Sequence, residues 1–209
     1  MMADVGYIKE VHSRETLLQY LSESLGYRVT DVSYPPKQLD IPSKPSEAIQ
    51  SVRLLSDYDK AFQAYLFETT SLTRTTIRSI LEPFYRHHPA GDYLFIFTKD
   101  YSQFAFVSPL RILRPGKPMP ALQLRILPLE PANVYHTDLE VLHGIVLTSE
   151  EQQPEIIRRK HEEAFSVERV TDEFFKSYKR ILDHLKETLA AQLCAIELLS
   201  SWGYFHCFP

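Results

Sequence analysis

Glycine is scarce and scattered in this chain: six in 209 residues, at positions 6, 26, 91, 116, 144 and 203. No two lie close enough to build a phosphate-cradling or dinucleotide-binding turn, which argues against the usual nucleotide-dependent enzymes. Cysteine is scarcer still. Cys194 and Cys207 stand near the carboxyl end, so neither a disulfide framework nor a paired metal-binding knuckle can be drawn, and both read as reduced thiols. No stretch approaches the ~18 uninterrupted apolar residues of a membrane span. The amino terminus carries Asp4 and Glu10 in place of a basic leader followed by an apolar region. A soluble, cytoplasmic chain without a membrane partner is expected. Bulk charge of one sign is also missing. A formal net charge of -4 disfavours a protein that coats nucleic acid or acidic lipid, although a local basic patch is still open.

What is present is core-forming material. Hydrophobic residues make up 44% and aromatics 12% of the chain, enough to bury one sizeable core but hardly two. The expectation is one α/β (α+β) domain over residues 1–147, with a mixed central sheet flanked by helices. A helical extension over 148–209 would pack on that domain or on a partner. Ser13 can cap a helix over Arg14 to Leu25, with Leu17, Leu18, Leu21 and Leu25 at helical spacing and Gly26 ending it. The four prolines between Ser33 and Ser46 predict an extended surface loop. Alternation predicts strands at Ala48–Leu55 and Ala61–Phe67 around the turn SDYDK. Thr73 can cap a helix that turns Ile77, Ile80, Leu81 and Phe84 inward, with Pro83 predicting a kink or an early stop. After Gly91 the run YLFIFT reads as a strand buried on both faces, paired with Gln103–Val107 across KDYS.

From Thr137 the pattern turns helical. A longer helix begins at Ser166, and its apolar line runs through Val167, Val170, Phe174, Tyr178, Ile181, Leu185, Leu189, Leu193, Ile196 and Leu199, at steps of three and four. Such a helix suits packing on its own domain, self-association, or docking to a following domain.

Two sets of residues carry candidate chemistry. Asp57 or Asp59 precedes Glu68 at a separation similar to that of the PD-(D/E)xK metal-dependent nucleases. In those enzymes two carboxylates hold a divalent cation and a lysine orients the attacking water. Here Thr70 stands at the lysine position, so a degenerate nuclease-like core is the lesser alternative to the structural reading that follows. A simpler reading has Asp57 and Asp59 making a hairpin turn and Glu68 ending a strand near solvent. Magnesium or manganese would be needed only by a working nuclease, and otherwise no cofactor is expected. The second set is basic. Arg111, Arg114, Lys117 and Arg125 lie between Tyr101 and Leu129, a stretch with no Asp or Glu and hence a local charge of +4. Arg74 and Arg78 share a face of the preceding helix. These six could contact phosphates, with steep salt dependence; a solvated face explains them equally simply. Tyr101, in a turn, is the aromatic most exposed for stacking on a base.

The stretches from Ala61 to Pro109 (AFQAYLFETTSLTRTTIRSILEPFYRHHPAGDYLFIFTKDYSQFAFVSP) and from Ala164 to Leu182 (AFSVERVTDEFFKSYKRIL) resemble the amino-terminal region of bacterial type II, subtype G-like, restriction-modification and DNA methyltransferase proteins. The resemblance spans roughly Ala48 to Leu182. It implies a specificity-like or nuclease-like module whose terminal helix leads into a methyltransferase. An Asn-Pro-Pro-Tyr-like motif and the glycine-bearing loop for S-adenosylmethionine are both missing, so the methyltransferase domain itself is not expected here. The reading that follows is a non-catalytic accessory or vestigial module contacting duplex DNA or a methyltransferase subunit. The alternatives are a divalent-metal DNA endonuclease using Asp57, Asp59 and Glu68, and a homodimeric structural protein joined through its carboxyl-terminal helix.

Overall fold

A computed structural model describes residues 5–112, 121–166, 178–182, 184–186 and 188. The chain divides into two compact units, 1–168 and 169–209. The first unit is built on a six-stranded sheet in the order β1 to β6. Its strands are β1 (Val32–Ser33), β2 (Ile49–Tyr58), β3 (Phe62–Thr69), β4 (Asp92–Thr98), β5 (Phe104–Ile112) and β6 (Ala121–Leu129). Neighbours are antiparallel except β3 and β4, which run parallel with Phe62 opposite Asp92 and Glu68 opposite Thr98. A parallel pair needs a crossover, and α3 (Arg74–His87) supplies it.

Alternation along the strands makes two cores. On one face Phe62, Ala64, Leu66, Leu94, Ile96, Phe104 and Phe106 pack under a layer of helical segments. These are a 3-10 turn over Val5–Glu10, α1 (Arg14–Gln19), α4 (His136–Gly144) and α5 (Pro154–Ala164). On the other face Tyr65, Phe67, Phe95, Phe97 and Val107 meet Ile77, Ile80, Leu81 and Phe84 of α3, together with Leu39 and Ile41. The run YLFIFT is indeed buried on both faces, because its strand lies between these layers. Thr73 caps α3 by accepting from the Thr76 N–H. The helix continues through Pro83 to His87; the apolar residues on either side of the proline hold it against the sheet, which offsets the lost backbone hydrogen bond.

Several elements differ from expectation. The capping box at Ser13 opens α1, but after Gln19 the helix widens into a π-helical turn over Tyr20–Ser24. That turn lets the adjacent pairs Tyr20 and Leu21, and Ser24 and Leu25, all be buried, a broader stripe than a 3.6-residue period allows. The proline-rich loop contains β1, a 3-10 turn over Pro36–Leu39 and the one-turn helix α2 (Ser43–Ser46). The stretch read as a basic surface contains β6, paired with β5 from Phe104–Leu129 to Ile112–Ala121. α5, also unforeseen, buries Ile157, His161 and Ala164. The sequence suggests a break after 147, yet α5 belongs to the first unit.

In the second unit, residues 178–182, 184–186 and 188 are helical. The other positions on the expected apolar line of the terminal helix fall outside the described residues, as do Arg114 and Lys117.

Candidate functional site

Glu68 is the candidate residue around which the structure assembles a site. It stands near the carboxyl end of β3, on the face shared with Leu66 and beside the end of β4. Its Oε2 accepts from the Ser51 hydroxyl across the strand pair at 2.5 Å. Its Oε1 accepts from the Tyr101 hydroxyl. Burial, and then the neighbouring Glu68, push the Tyr101 phenol well above its ordinary value, so it stays protonated and donates. Two strand positions from Ser51, the Arg53 guanidinium binds the carboxylate of Asp31 and, at 3.1 Å, the Asp31 carbonyl oxygen. Arg14, at the start of α1, approaches the same carboxylate at 4.0 Å. Arg14 also pairs with Glu15 at 3.0 Å, and the result is a half-buried network of opposite charges that joins α1, the segment before β1, β2, β3 and the β4–β5 turn.

Two residues of this network are held in the left-handed backbone region, Asp31 at φ 50° and Tyr101 at φ 62°. Asp tolerates that region. A bulky residue does so only when its surroundings fix it, and Tyr101 is fixed at both ends. Its N–H donates to the Thr98 hydroxyl at 2.9 Å and its own hydroxyl to Glu68. Tyr101 is therefore half-buried, and its role is a brace against Glu68, not the exposed stacking surface that its turn position suggests.

Asp57 and Asp59 lie elsewhere. Asp57 pairs with Gln63 and Glu68 with Ser51 on the same two strands, so five residues of strand, about 17 Å, separate them. Asp59 and Lys60 take φ of 54° and 61° in the tight turn closed by Ala61 N–H to the Tyr58 carbonyl oxygen. Asp57 accepts the Lys60 N–H at 2.8 Å. Both aspartates thus shape the hairpin turn, where local side-chain acceptors and left-handed backbone are favoured. Thr70 follows the strand end and is exposed. Among the described residues no group of three or more His, Cys, Asp or Glu is arranged to hold a metal ion.

The four basic candidates among the described residues are dispersed and engaged. Arg111 donates to the carbonyl oxygens of Pro89 and Gly91 and reaches Asp92 at 3.4 Å. Arg125 bonds the Ser108 carbonyl and hydroxyl oxygens at 3.3 and 3.2 Å and the Glu162 carbonyl oxygen at 3.0 Å, tying β5, β6 and α5 together. Arg78 faces Glu82 at 3.7 Å, and exposed Arg74 reaches the Leu124 carbonyl oxygen at 3.5 Å.

Sequence reasoning passes over Arg14, Asp31, Ser51 and Arg53, which carry no local motif and meet only once the sheet forms. It also passes over the buried pair Tyr27 and His161. The Tyr27 hydroxyl lies 3.2 Å from the Ile145 carbonyl oxygen and 2.5 Å from His161 Nε2. Since Tyr27 has one proton to give to the carbonyl, we assign the imidazole proton to Nε2, donating to the Tyr27 oxygen. Nδ1 then remains a buried acceptor without a partner, cheaper than burying an unpaired N–H. Burial, and then Arg125, lower the imidazole to about 3, so it is neutral in the folded chain. No family model, curated protein or solved structure matches the chain. No helix among the described residues is long and apolar enough to cross a membrane.

Proposed function

We propose that the chain is a non-catalytic accessory module of a DNA restriction-modification protein, acting through contact with a partner subunit. The observation that carries the non-catalytic part of this reading is the position of Glu68; the restriction-modification setting rests on the sequence resemblance alone. Its two oxygens are engaged by Ser51 and Tyr101, while Asp57 and Asp59 serve the turn at the far end of the hairpin. A divalent-metal nuclease needs converging carboxylates with open oxygens, and this arrangement favours a structural use of the same residues. The engaged state of Arg111 and Arg125 favours a protein partner over DNA as the main contact. The helical residues Ile181, Leu182 and Leu185, exposed at 60%, 37% and 52%, add an apolar face of the kind that docks on another chain. The test is incubation of duplex DNA with the chain and its Glu68→Gln variant in magnesium or manganese. Intact DNA throughout, with a lowered melting temperature for the variant, is expected. Metal-dependent cleavage by the wild-type chain that the variant loses would overturn the reading.

A further inference from the structure

A groove of the first unit lies away from Glu68, between the amino-terminal helical segments and the loop joining α4 to α5, with a volume of about 1010 Å³. That is at the upper end of small-molecule sites and suits several residues of an extended peptide. Its floor is apolar and fixed. Val11, Tyr20 and Leu147 are all buried, the Leu147 N–H donates to the Leu25 carbonyl oxygen at 2.8 Å, and the Tyr20 hydroxyl donates to the Val5 carbonyl oxygen at 3.2 Å. One wall includes the π-helical turn that begins at Tyr20, a distortion that recurs at functional sites.

The rim has one sign of charge. Exposed Glu10 and Glu23 face the groove, and among the described residues no lysine or arginine lines it. Lys160 of α5 reaches back to the adjoining loop, where the Val146 carbonyl oxygen and the Glu151 carboxylate hold it, each at 2.6 Å. Tyr7, at the same rim, is 54% exposed. An accessible aromatic ring and two carboxylates lining one groove, Glu23 also accepting from the Gln19 amide at 3.0 Å, are the chemistry that attracts an ammonium or guanidinium group. His12 completes the rim. Its Nδ1 donates to the Glu10 carbonyl oxygen at 2.6 Å, which leaves Nε2 of the neutral ring as an acceptor.

We infer that this groove is a docking site for an extended segment of a partner polypeptide that presents an arginine or lysine between Tyr7, Glu10 and Glu23 and lays apolar neighbours on the floor. The inference is independent of the role given to Glu68 and to the terminal helix. The probe is a phage-displayed library of random dodecapeptides, selected on the intact chain and on its Glu10→Gln/Glu23→Gln variant. Both substitutions are at exposed positions, and circular dichroism of the variant is the check that it keeps its fold. The expected result is enrichment of peptides with a basic residue at a fixed position, flanked by apolar residues. Synthesised singly, these bind about fivefold to tenfold more weakly to the variant, as loss of two exposed charge contacts implies, and also more weakly in high salt. Failure to enrich any sequence, enrichment without a basic residue, or equal affinity for the variant would each overturn the inference.

Discussion

Tyr101 shows how much one residue can carry. A tyrosine at φ 62° costs on the order of 1–3 kcal/mol in backbone strain, and its bond to Glu68 is among the contacts that hold it there. Tyr101→Phe keeps the strain and removes the donor, leaving a half-buried carboxylate oxygen short of a partner. Chemical denaturation should show a loss of about 1–3 kcal/mol; an unchanged midpoint would mean that the phenol does not brace Glu68. His161 makes a pH-dependent case. Its folded-state value near 3 lies below the ordinary 6.5, so between those values the unfolded chain binds a proton that the folded chain refuses. Its contribution is complete above pH 6.5 and is lost as pH falls toward 3, by up to about 1.4 kcal/mol per pH unit. Denaturation at pH 7 and pH 4.5 should therefore separate the wild type from His161→Phe, with the wild type losing roughly 2–3 kcal/mol more on acidification. Parallel pH dependence in the two proteins would place the imidazole in water.

Elements were legible where local pattern and tertiary environment agree. The hairpin of β2 and β3 announces itself by alternation around an Asp-rich turn, α3 by its cap and its four inward apolar residues, and β4 by a continuous apolar run that only a two-sided burial explains. β6 is obscured because its apolar positions change face, from Leu122, Leu124 and Ile126 on the α3 side to Leu127 and Leu129 on the other, and because Pro128 stands within it. Arg125 has its place only because Ser108 and the carboxyl end of α5 receive it. α5 is obscured because its eleven residues bury few apolar side chains and one histidine. The π-helical turn has no sequence mark beyond a helical stripe that is too wide. Of the candidate site, Glu68 was legible as a strand-end carboxylate. Its partners were not, since Ser51, Tyr101, Arg53 and Asp31 are joined only by sheet register. Gly26 belongs to this scale, at φ 74° and so close to the Leu147 carbonyl oxygen that a Cβ would overlap it. Gly26→Ala should cost more than about 2 kcal/mol and lower the melting temperature by several degrees; a neutral effect would show that α1 and the α4–α5 loop adjust independently.

At the scale of the whole molecule, the sheet separates two kinds of surface. Its α3 face is filled by aromatic packing, with a smaller cavity of about 310 Å³ beside Leu72, Arg74 and Ile77, whereas its other face carries the helical segments that form the groove above Tyr20 and Leu147. Beside Glu68, the ion pairs of Asp31 with Arg53 and Arg14 join α1 to the sheet and so help to set the position of the groove's wall. Their charges are spent on one another, which is the economy of a scaffold and not of a reaction centre. Arg74 and Arg78 on α3 are both exposed, and replacing both with Gln should change salt-dependent DNA association only slightly if DNA is not the main contact.

The most direct test of a module that does not cut DNA is fluorescence anisotropy on labelled duplex across a salt series, with and without manganese. The same samples are then run on a denaturing gel. The account predicts full-length DNA in every lane and, at 0.15 M salt, at most weak anisotropy changes. Manganese-dependent fragments that disappear with Glu68→Gln would contradict it.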